Sequence, residues 1–147
     1  MKKILMILLL TIVIILPTYA TNWVQVGEKL YIDTDSIEPY VNDYGNIEPN
    51  RYSYWTKNLN DGSESWRKSE KFYNKKIWYY KFKEIIDINR KSISSKSFVI
   101  YDLKSNVIQI SEQRDYNLEW QSIVPDSVGD LKLYLIKKVI NEDSIKF

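Results

Sequence analysis

The chain has 147 residues, with no cysteine, no histidine, five Trp and twelve Tyr. The absence of cysteine excludes disulfides, thiol nucleophiles and thiolate metal sites, and the absence of histidine removes the most common general base. The formal charge of +2 comes from Lys2 and Lys3, since without them 19 basic residues balance 19 acidic ones. Because nucleic-acid binding depends largely on neutralising phosphates, this neutral body predicts no nucleic-acid partner.

Residues 1–20 have the pattern of a secretory signal peptide. Two lysines precede the apolar run 4–16, Pro17 ends that run, and small residues precede a cleavage point after Ala20. The run is shorter than the about 20 apolar residues of a permanent span, although an uncut N-terminal anchor is the alternative. We therefore expect one exported domain, residues 21–147, with no stable membrane anchor after cleavage.

The sequence pattern of residues 21–147 predicts an antiparallel sheet, because short apolar runs alternate with turn residues. Each run is rich in β-branched or aromatic residues, which favour strands. The predicted strands are 23–26, 30–33, 47–59, 76–88, 92–101 and 107–111. The charged segment 64–75 carries no clear periodicity, and no secondary structure is predicted for it.

The C-terminal segment predicts an amphipathic helix of about 12–15 residues. Ser127 is a natural N-cap, and Asp130 three residues later makes a pair that resembles a capping box. Apolar residues recur at helical spacing at Val128, Leu131, Leu135, Ile136, Val139 and Ile140. Such a stripe has to be buried, most simply on one face of the sheet. The predicted fold class is therefore α+β, with about six antiparallel strands and a C-terminal helix packed on them.

The strand predicted at 76–88 combines aromatic and basic residues. Trp78, Tyr80 and Phe82 fall on one face, and Tyr79, Lys81 and Lys83 fall on the other. One interpretation is a strand with one face in the core and the other solvated by lysines. The other is a basic and aromatic surface that contacts an acidic partner. The candidate binding residues are Tyr52, Tyr54, Trp78, Tyr79, Lys81 and Lys83, and pairing with the strand at 47–59 would add Arg51, Trp55 and Lys57.

Catalysis and metal binding find little support in the sequence. The carboxylate pairs Glu64 with Glu70 and Asp115 with Glu119 are the available acid–base candidates, and nothing marks either pair as perturbed. The segment 33–38 lacks the oxygen ligand and the glycine that a calcium loop needs at its fifth and sixth positions. The sequence therefore predicts no catalytic residue, metal or cofactor, and a hydrolase that uses carboxylates is the alternative.

Three stretches in the same order resemble the surface-adhesin protein E-like family of exported proteins from Gram-negative bacteria. They are 23–26 followed by 31–37, the central strand pair that ends at Tyr101-Asp102, and the Trp–x–x–Ile–x–Pro–x–Ser segment at 120–127. The resemblance implies a curved antiparallel sheet with the C-terminal helix lying against it. It also implies a disulfide from sheet to helix near Ile88 and near Ile136 or Lys137, which this chain without cysteine lacks.

The same resemblance carries the functional expectation. It implies a non-catalytic binding module that recognises a host protein or a component of the cell envelope, as a monomer or a homodimer. It places the domain in the periplasm or on the outer surface of a Gram-negative bacterium. The alternative is a periplasmic structural or accessory protein with no host ligand.

Overall fold

The computed structural model describes residues 21–144, and the predicted signal peptide at 1–20 lies outside these described residues. The elements in chain order are β1 Trp23–Gln25, β2 Leu30–Val41, β3 Ile47–Leu59, α1 Glu64–Tyr73, β4 Ile77–Asp87, β5 Ser92–Asp102, β6 Val107–Glu112, β7 Gln121–Ser122 and α2 Val128–Ser144. Strands β1 to β6 form one antiparallel sheet in sequence order, and β7 adds to β5. The predicted α+β class is confirmed, with the short strand β7 as an addition. Neither helix of the described region has the length and apolar character needed to cross a membrane.

Helix α2 covers one face of the sheet and forms the main apolar core with it. Leu133 and Ile136 of the helix pack with Ile32, Tyr54 and Ile86 from three neighbouring strands. Because successive residues of a strand point to opposite faces, these even-numbered strand residues all lie on the side of the helix. Most of the main core therefore lies on this face, although Ile85, at an odd position of β4, is fully buried on the other face.

The buried stripe of α2 differs from the predicted one. Ile136 is fully buried, whereas Leu131, which was predicted to face the sheet, is 46% exposed. Helix α2 is rotated about its axis relative to the predicted orientation, because Lys132 also faces the sheet. The ammonium of Lys132 lies 2.6 and 2.9 Å from the two carboxylate oxygens of Glu84. The predicted N-cap is confirmed, since the Ser127 hydroxyl accepts a hydrogen bond from the backbone N–H of Asp130.

The contacts of α2 replace the disulfide that the family resemblance implies. Of the residues near the expected cysteine positions, Ile136 belongs to the main core, Ile88 packs against it, and Lys137 is exposed. The Lys132–Glu84 ion pair is largely shielded from solvent, with side chains 8% and 15% exposed. Apolar packing and one buried ion pair therefore hold the helix on the sheet.

Helix α1 lies on the same face, at the other end of the strands. The indole ring of Trp66 stacks on the Tyr80 ring at a centroid distance of 4.3 Å, and Trp66 also packs with Ile100. Asn74 ends the helix in the left-handed conformation, with φ of 50°. The sequence did not predict this helix, because its apolar contribution is confined to Trp66 and Tyr73 and depends on contact with the sheet.

Truncation of the buried stripe tests the docking of α2. We expect Ile136→Ala to lower the free energy of unfolding by about 2–5 kcal/mol, because it removes a fully buried side chain from the main core. Leu131→Ala, at a half-exposed position of the same helix, is the matched control and should cost much less. Urea denaturation measures both, and equal losses in the two variants would contradict the observed orientation of the helix.

Candidate functional site

The face of the sheet opposite the helices carries a cluster of lysine and aromatic side chains. Its members occupy odd-numbered strand positions, so they point away from both helices. We call this cluster the lysine–aromatic face, and it consists of Trp23, Tyr31, Lys57, Tyr79, Lys81 and Tyr101. Five different strands contribute to it, which makes it a product of the sheet rather than of one segment.

Two lysines form the centre of the lysine–aromatic face. Lys57 and Lys81 are direct cross-strand neighbours in the pairing of β3 with β4. The ammonium of Lys57 lies 4.5 Å from the ring centroid of Trp23 and 5.4 Å from that of Tyr31. The ammonium of Lys81 lies 5.4 Å from the Trp23 ring and 5.8 Å from the Tyr101 ring. At these distances the electron-rich ring faces attract both cations.

The electrostatics of the two lysines are unbalanced. Neither Lys57 nor Lys81 forms an ion pair with a carboxylate within the described part of the chain. Burial lowers the pKa of Lys57, and the charge of Lys81 lowers it further. The nearby Asp33 is itself buried, and this burial raises the pKa of its carboxyl. The charge of Asp33 acts against the lowering of the Lys57 pKa, and the charge of Lys81 acts against the raising of the Asp33 pKa, so one buried carboxylate partly compensates two like charges on this face.

Stacked rings extend the lysine–aromatic face towards the end of the sheet. The Tyr79 and Tyr101 rings are stacked with their centroids 4.6 Å apart, and Trp78 meets Tyr79 edge-on at 5.1 Å. Burial raises the pKa of Tyr79, with a further contribution from Tyr101. The hydroxyl therefore stays neutral at physiological pH, and a hydrogen bond with Ser105 engages it.

The structure separates the six candidate residues that the sequence put forward. Tyr79 and Lys81 belong to the lysine–aromatic face. Lys83 lies on the same side of β4, where its ammonium is 3.1 Å from a carboxylate oxygen of Glu38. Trp78 is 44% exposed and lies at the border of the face. Trp78, Tyr79 and Lys81 are thus close neighbours, whereas Lys83 is already in an ion pair with Glu38.

Tyr52 and Tyr54 lie on the opposite side of the sheet, so the prediction that they contribute to the binding surface is wrong. Tyr54 has no exposed surface and belongs to the core under α2, and Tyr52 packs against that core. Burial raises the pKa of Tyr54 well above its ordinary value, and the Glu84 carboxylate adds to the shift. Their even positions in β3 place them towards the helix, so neither ring can meet a partner on the open face.

Three members of the lysine–aromatic face were missed by the sequence analysis. Trp23, Tyr31 and Tyr101 lie in three different strands and meet the lysines only through the register of the sheet. The sequence did offer one signal, because each of these residues alternates along its strand with apolar residues such as Ile32, which indicates the face opposite the core. Lys57 was expected to join the patch if its strand paired with 76–88, and that pairing is observed.

A second polar cluster ties two loops to β5. Lys96 occupies a bulge in β5, and its ammonium lies 2.6 Å from Asp43 and 2.6 Å from Asp115. The Tyr40 hydroxyl donates to the same Asp115 oxygen that binds Lys96. The two aspartates also accept each other's backbone N–H groups, at 2.6 and 2.9 Å. The members of this cluster therefore satisfy one another and leave no free acid or base.

The pKa values of this cluster reflect the same mutual pairing. The hydrogen bond from Lys96 lowers the pKa of Asp43. Burial acts against ionisation of Asp115, but hydrogen bonds from Lys96 and Tyr40 outweigh it and lower the pKa of Asp115. Burial and the Asp115 carboxylate raise the pKa of Tyr40 to about 12. Ionised aspartates and a neutral tyrosine are thus the stable forms in the fold.

Three of the four carboxylates considered as acid–base candidates form ion pairs with lysines. Glu64 binds Lys68 at 2.8 Å, and Glu70 binds Lys76 at 2.8 Å and the backbone N–H of Ile77. Across residues 21–144, no group of three or more Asp or Glu side chains is placed to hold a metal ion. The described carboxylates are arranged as ion-pair partners and turn acceptors.

Two solved structures of Haemophilus influenzae protein E share the arrangement of this chain. Crystal form II aligns with a TM-score of 0.51 at 13% sequence identity, covering 78% of this chain and 85% of that one. The selenomethionine form aligns with a TM-score of 0.51 at 14% identity, covering 78% and 84%. This chain has a protein E-like fold. No protein-family model and no curated protein sequence matches it, so the similarity to protein E concerns the fold alone.

The Lys96 cluster gives this protein E-like fold a predictable dependence of stability on pH. The lowered pKa values of Asp43 and Asp115 mean that their contribution is present above the ordinary value of 3.8 and is lost as the pH falls below it. The raised pKa of Tyr40 acts in the opposite direction, so its contribution is lost as the pH rises from 10 towards 12. Urea denaturation between pH 2 and pH 11 measures both limbs.

The variant Lys96→Met isolates the origin of this dependence. We expect a loss of about 3 kcal/mol at pH 7, because two carboxylates lose their shared cation. With the cation gone, the neighbouring carboxylates repel each other and protonation relieves them, so the loss of stability in acid should shrink. If the free energy of unfolding of the variant and of the parent chain falls in parallel as the pH is lowered, the loss of stability in acid comes from groups other than the Lys96 cluster.

Proposed function

We propose that the chain is an exported, non-catalytic binding module that recognises an acidic protein partner, from the host or the cell envelope, through its lysine–aromatic face. The observation that carries the proposal is the pair Lys57 and Lys81, side by side on the helix-free face, with no ion pair among the described residues and only partial compensation from the charge of Asp33. A domain that only needed a solvated face would gain stability from placing opposite charges at these two positions.

An anionic partner would relieve the unfavourable electrostatics of this pair. Directly opposed like charges destabilise neighbouring strands, and the lowered pKa of Lys57 shows that its charged form is disfavoured. A carboxylate placed between the two ammonium groups would offset both effects and would exclude water from the flanking rings. Binding would therefore recover free energy that the free domain does not use.

The aromatic members give the face the character of a protein-binding surface. Tyr and Trp are enriched among the residues that dominate binding energy, because they bury a large area at a small entropic cost. Trp23, Tyr31 and Tyr101 surround the two lysines on three sides of the contact. Such an arrangement supports recognition of acidic side chains within a protein rather than of isolated ions.

The non-catalytic part of the proposal rests on how the titratable groups are used. Lys96, Asp43, Asp115 and Tyr40 form the densest cluster of such groups, and each of them is bonded to another member. A general acid or base has to retain a free position for the substrate. These four groups instead close the loops against β5.

Neutralisation of the two lysines tests the binding surface. With poly-L-glutamate as the probe, we expect Lys57→Met/Lys81→Met to bind at least about tenfold more weakly, because two charge-assisted contacts are lost. The same change should leave stability unaltered or raise it by about 0.2–1 kcal/mol, because the like-charge pair is removed. Isothermal titration calorimetry and urea denaturation give the two measurements.

The matched control is Lys137→Met/Lys138→Met, which removes two charges from the exposed side of α2. It should retain the affinity of the parent chain for the probe. Equal weakening by both double variants would assign the binding to net charge alone. Retention of full affinity by the Lys57 and Lys81 variant would overturn the assignment to the lysine–aromatic face.

The expected export of the chain is tested by its location in the cell. In cells expressing a C-terminally tagged chain, we expect a mature product that begins at Thr21 and is removed by protease from intact cells. Mass spectrometry of the N-terminus and protease shaving give the two readouts. Protection until the outer membrane is opened would instead indicate a periplasmic accessory protein, and an uncut N-terminus would contradict the signal peptide.

A further inference from the structure

One end of the fold exposes apolar side chains next to unpaired lysines. Phe72, in the last turn of α1, is 81% exposed, and Leu103, in the turn between β5 and β6, is 63% exposed. Ile77 and Asp102 are Cα partners, so the start of β4 and the start of that turn lie side by side. Trp78 adds a third, partly exposed apolar side chain at this end.

Basic side chains occupy the same end. Lys71 lies in the last turn of α1, Lys75 follows just beyond the end of that helix, and Lys104 lies in the turn beside Leu103. All three are exposed, and none of them forms an ion pair within residues 21–142. We call this end the basic tip, defined by Lys71, Phe72, Lys75, Trp78, Leu103 and Lys104.

The acidic residues near the basic tip are already engaged. Glu70 accepts hydrogen bonds from Lys76 and from the backbone of Ile77, and the bond from Lys76 lowers the pKa of Glu70. Asp102 accepts backbone N–H groups within its own turn, and hydrogen bonds from Asn106 lower its pKa, with a contribution from the charge of Lys75. The lysines of the tip therefore present an excess of positive charge to an external partner.

A basic concavity lies beside the exposed phenylalanine. Its volume is about 460 Å³, and Arg67, Lys71 and Lys75 contribute to its wall together with the Glu70–Lys76 pair. It is open to solvent and large enough for a phosphate-bearing head group. Phe72, which is adjacent in the chain, projects beyond it into solvent.

The opposite end of the sheet shows that exposed aromatic residues alone do not make such a tip. Tyr44 and Tyr116 are also strongly exposed there. Their neighbours are the carboxylates of Asp43 and Asp115, and the lysine of that cluster, Lys96, is buried. Positive charge and exposed apolar surface therefore coincide at the basic tip and are separated at the other end.

We propose that the basic tip docks onto an anionic lipid surface, with the ammonium groups of Lys71, Lys75 and Lys104 on lipid phosphates and the side chains of Phe72 and Leu103 in the interfacial layer. The charges of the tip and of the surface are complementary, and lysines adjacent to apolar side chains are typical of proteins that lie on membranes. Lys57 and Lys81 lie over rings in fixed positions, whereas the three tip lysines are exposed on long side chains, which favours a fluid array of lipid phosphates over a protein at this end. Trp78 is suited to the same layer, because tryptophan is enriched where membrane and water meet.

Sedimentation with vesicles tests this docking. The chain from Thr21 to Phe147, which contains all the described elements, is mixed with vesicles of phosphatidylglycerol and phosphatidylcholine or of phosphatidylcholine alone. We expect binding to the anionic vesicles, weak binding to the neutral ones, and release of the bound chain at high salt. Each lysine near an anionic bilayer contributes about fivefold to binding, so Lys71→Glu/Lys75→Glu should weaken it by more than about 20-fold.

Two further variants distinguish binding through the basic tip from binding that depends only on the net charge of the chain. Phe72 is 81% exposed and meets the neighbouring Tyr73 ring edge-on at 4.9 Å, so Phe72→Ala should weaken vesicle binding several-fold with little change in the unfolding transition. Lys137→Glu/Lys138→Glu makes the same change of charge on the exposed side of α2 and should retain most of the binding. Equal losses in the two charge-reversed variants, or no effect of Phe72→Ala, would overturn the proposal.

The two surfaces adjoin where Trp78 meets Tyr79, but the vesicle test is distinguishable from the test of the lysine–aromatic face because the two sets of variants change different residues. The tip variants should keep full affinity for poly-L-glutamate, and Lys57→Met/Lys81→Met should keep vesicle binding. If vesicle binding is lost in the Lys57 and Lys81 variant but not in the tip variants, lipid binding belongs to the other face and the tip proposal is wrong. Binding of the tip to poly-L-glutamate instead of vesicles would indicate a protein partner and would also overturn it.

Discussion

A single β-sheet in a chain without cysteine has to bury one of its faces by packing alone, and this requirement organises the whole structure. Helix α2 provides most of the cover through Leu133 and Ile136, and the pair of Lys132 with Glu84 fixes how the helix lies on the strands. A buried ion pair adds little net stability, but breaking it leaves an uncompensated charge, so it discriminates strongly against other orientations. The exposed position of Leu131 follows from this orientation.

Because both helices lie on one side, the part of the other side that carries the lysine–aromatic face is left to solvent and to partners, whereas Ile85 is buried further along that side. Its strands bring Trp23, Tyr31 and Tyr101 around two lysines that repel each other. Natural sheets usually place opposite charges at such neighbouring positions, since this contributes to stability. The placement of Lys57 opposite Lys81 therefore distinguishes this side from an ordinary solvated face and gives the proposed binding function its physical basis.

The two proposed surfaces use positive charge in different ways. On the lysine–aromatic face the ammonium groups lie over rings in fixed positions, which suits recognition of a defined arrangement of carboxylates. At the basic tip the lysines are long, exposed and unpaired, and they flank Phe72, which suits a fluid array of phosphates. One domain could thus lie on a lipid surface at its tip while a broad face of its sheet remains open to a protein.

The sequence by itself determined the alternation of the strands, the class of the fold and the start of the last helix at Ser127, because these depend on local periodicity and capping. It also placed Lys81 and Tyr79 on one side of their strand. Only the tertiary structure decided which side is covered, which is why Tyr54 belongs to the core and Trp23 to the open face. Helix α1 likewise depends on the stacking of Trp66 on Tyr80, a contact between segments that no local pattern encodes. Long-range register and helix docking are set by interactions across the sheet, so they emerge only when the strands are assembled.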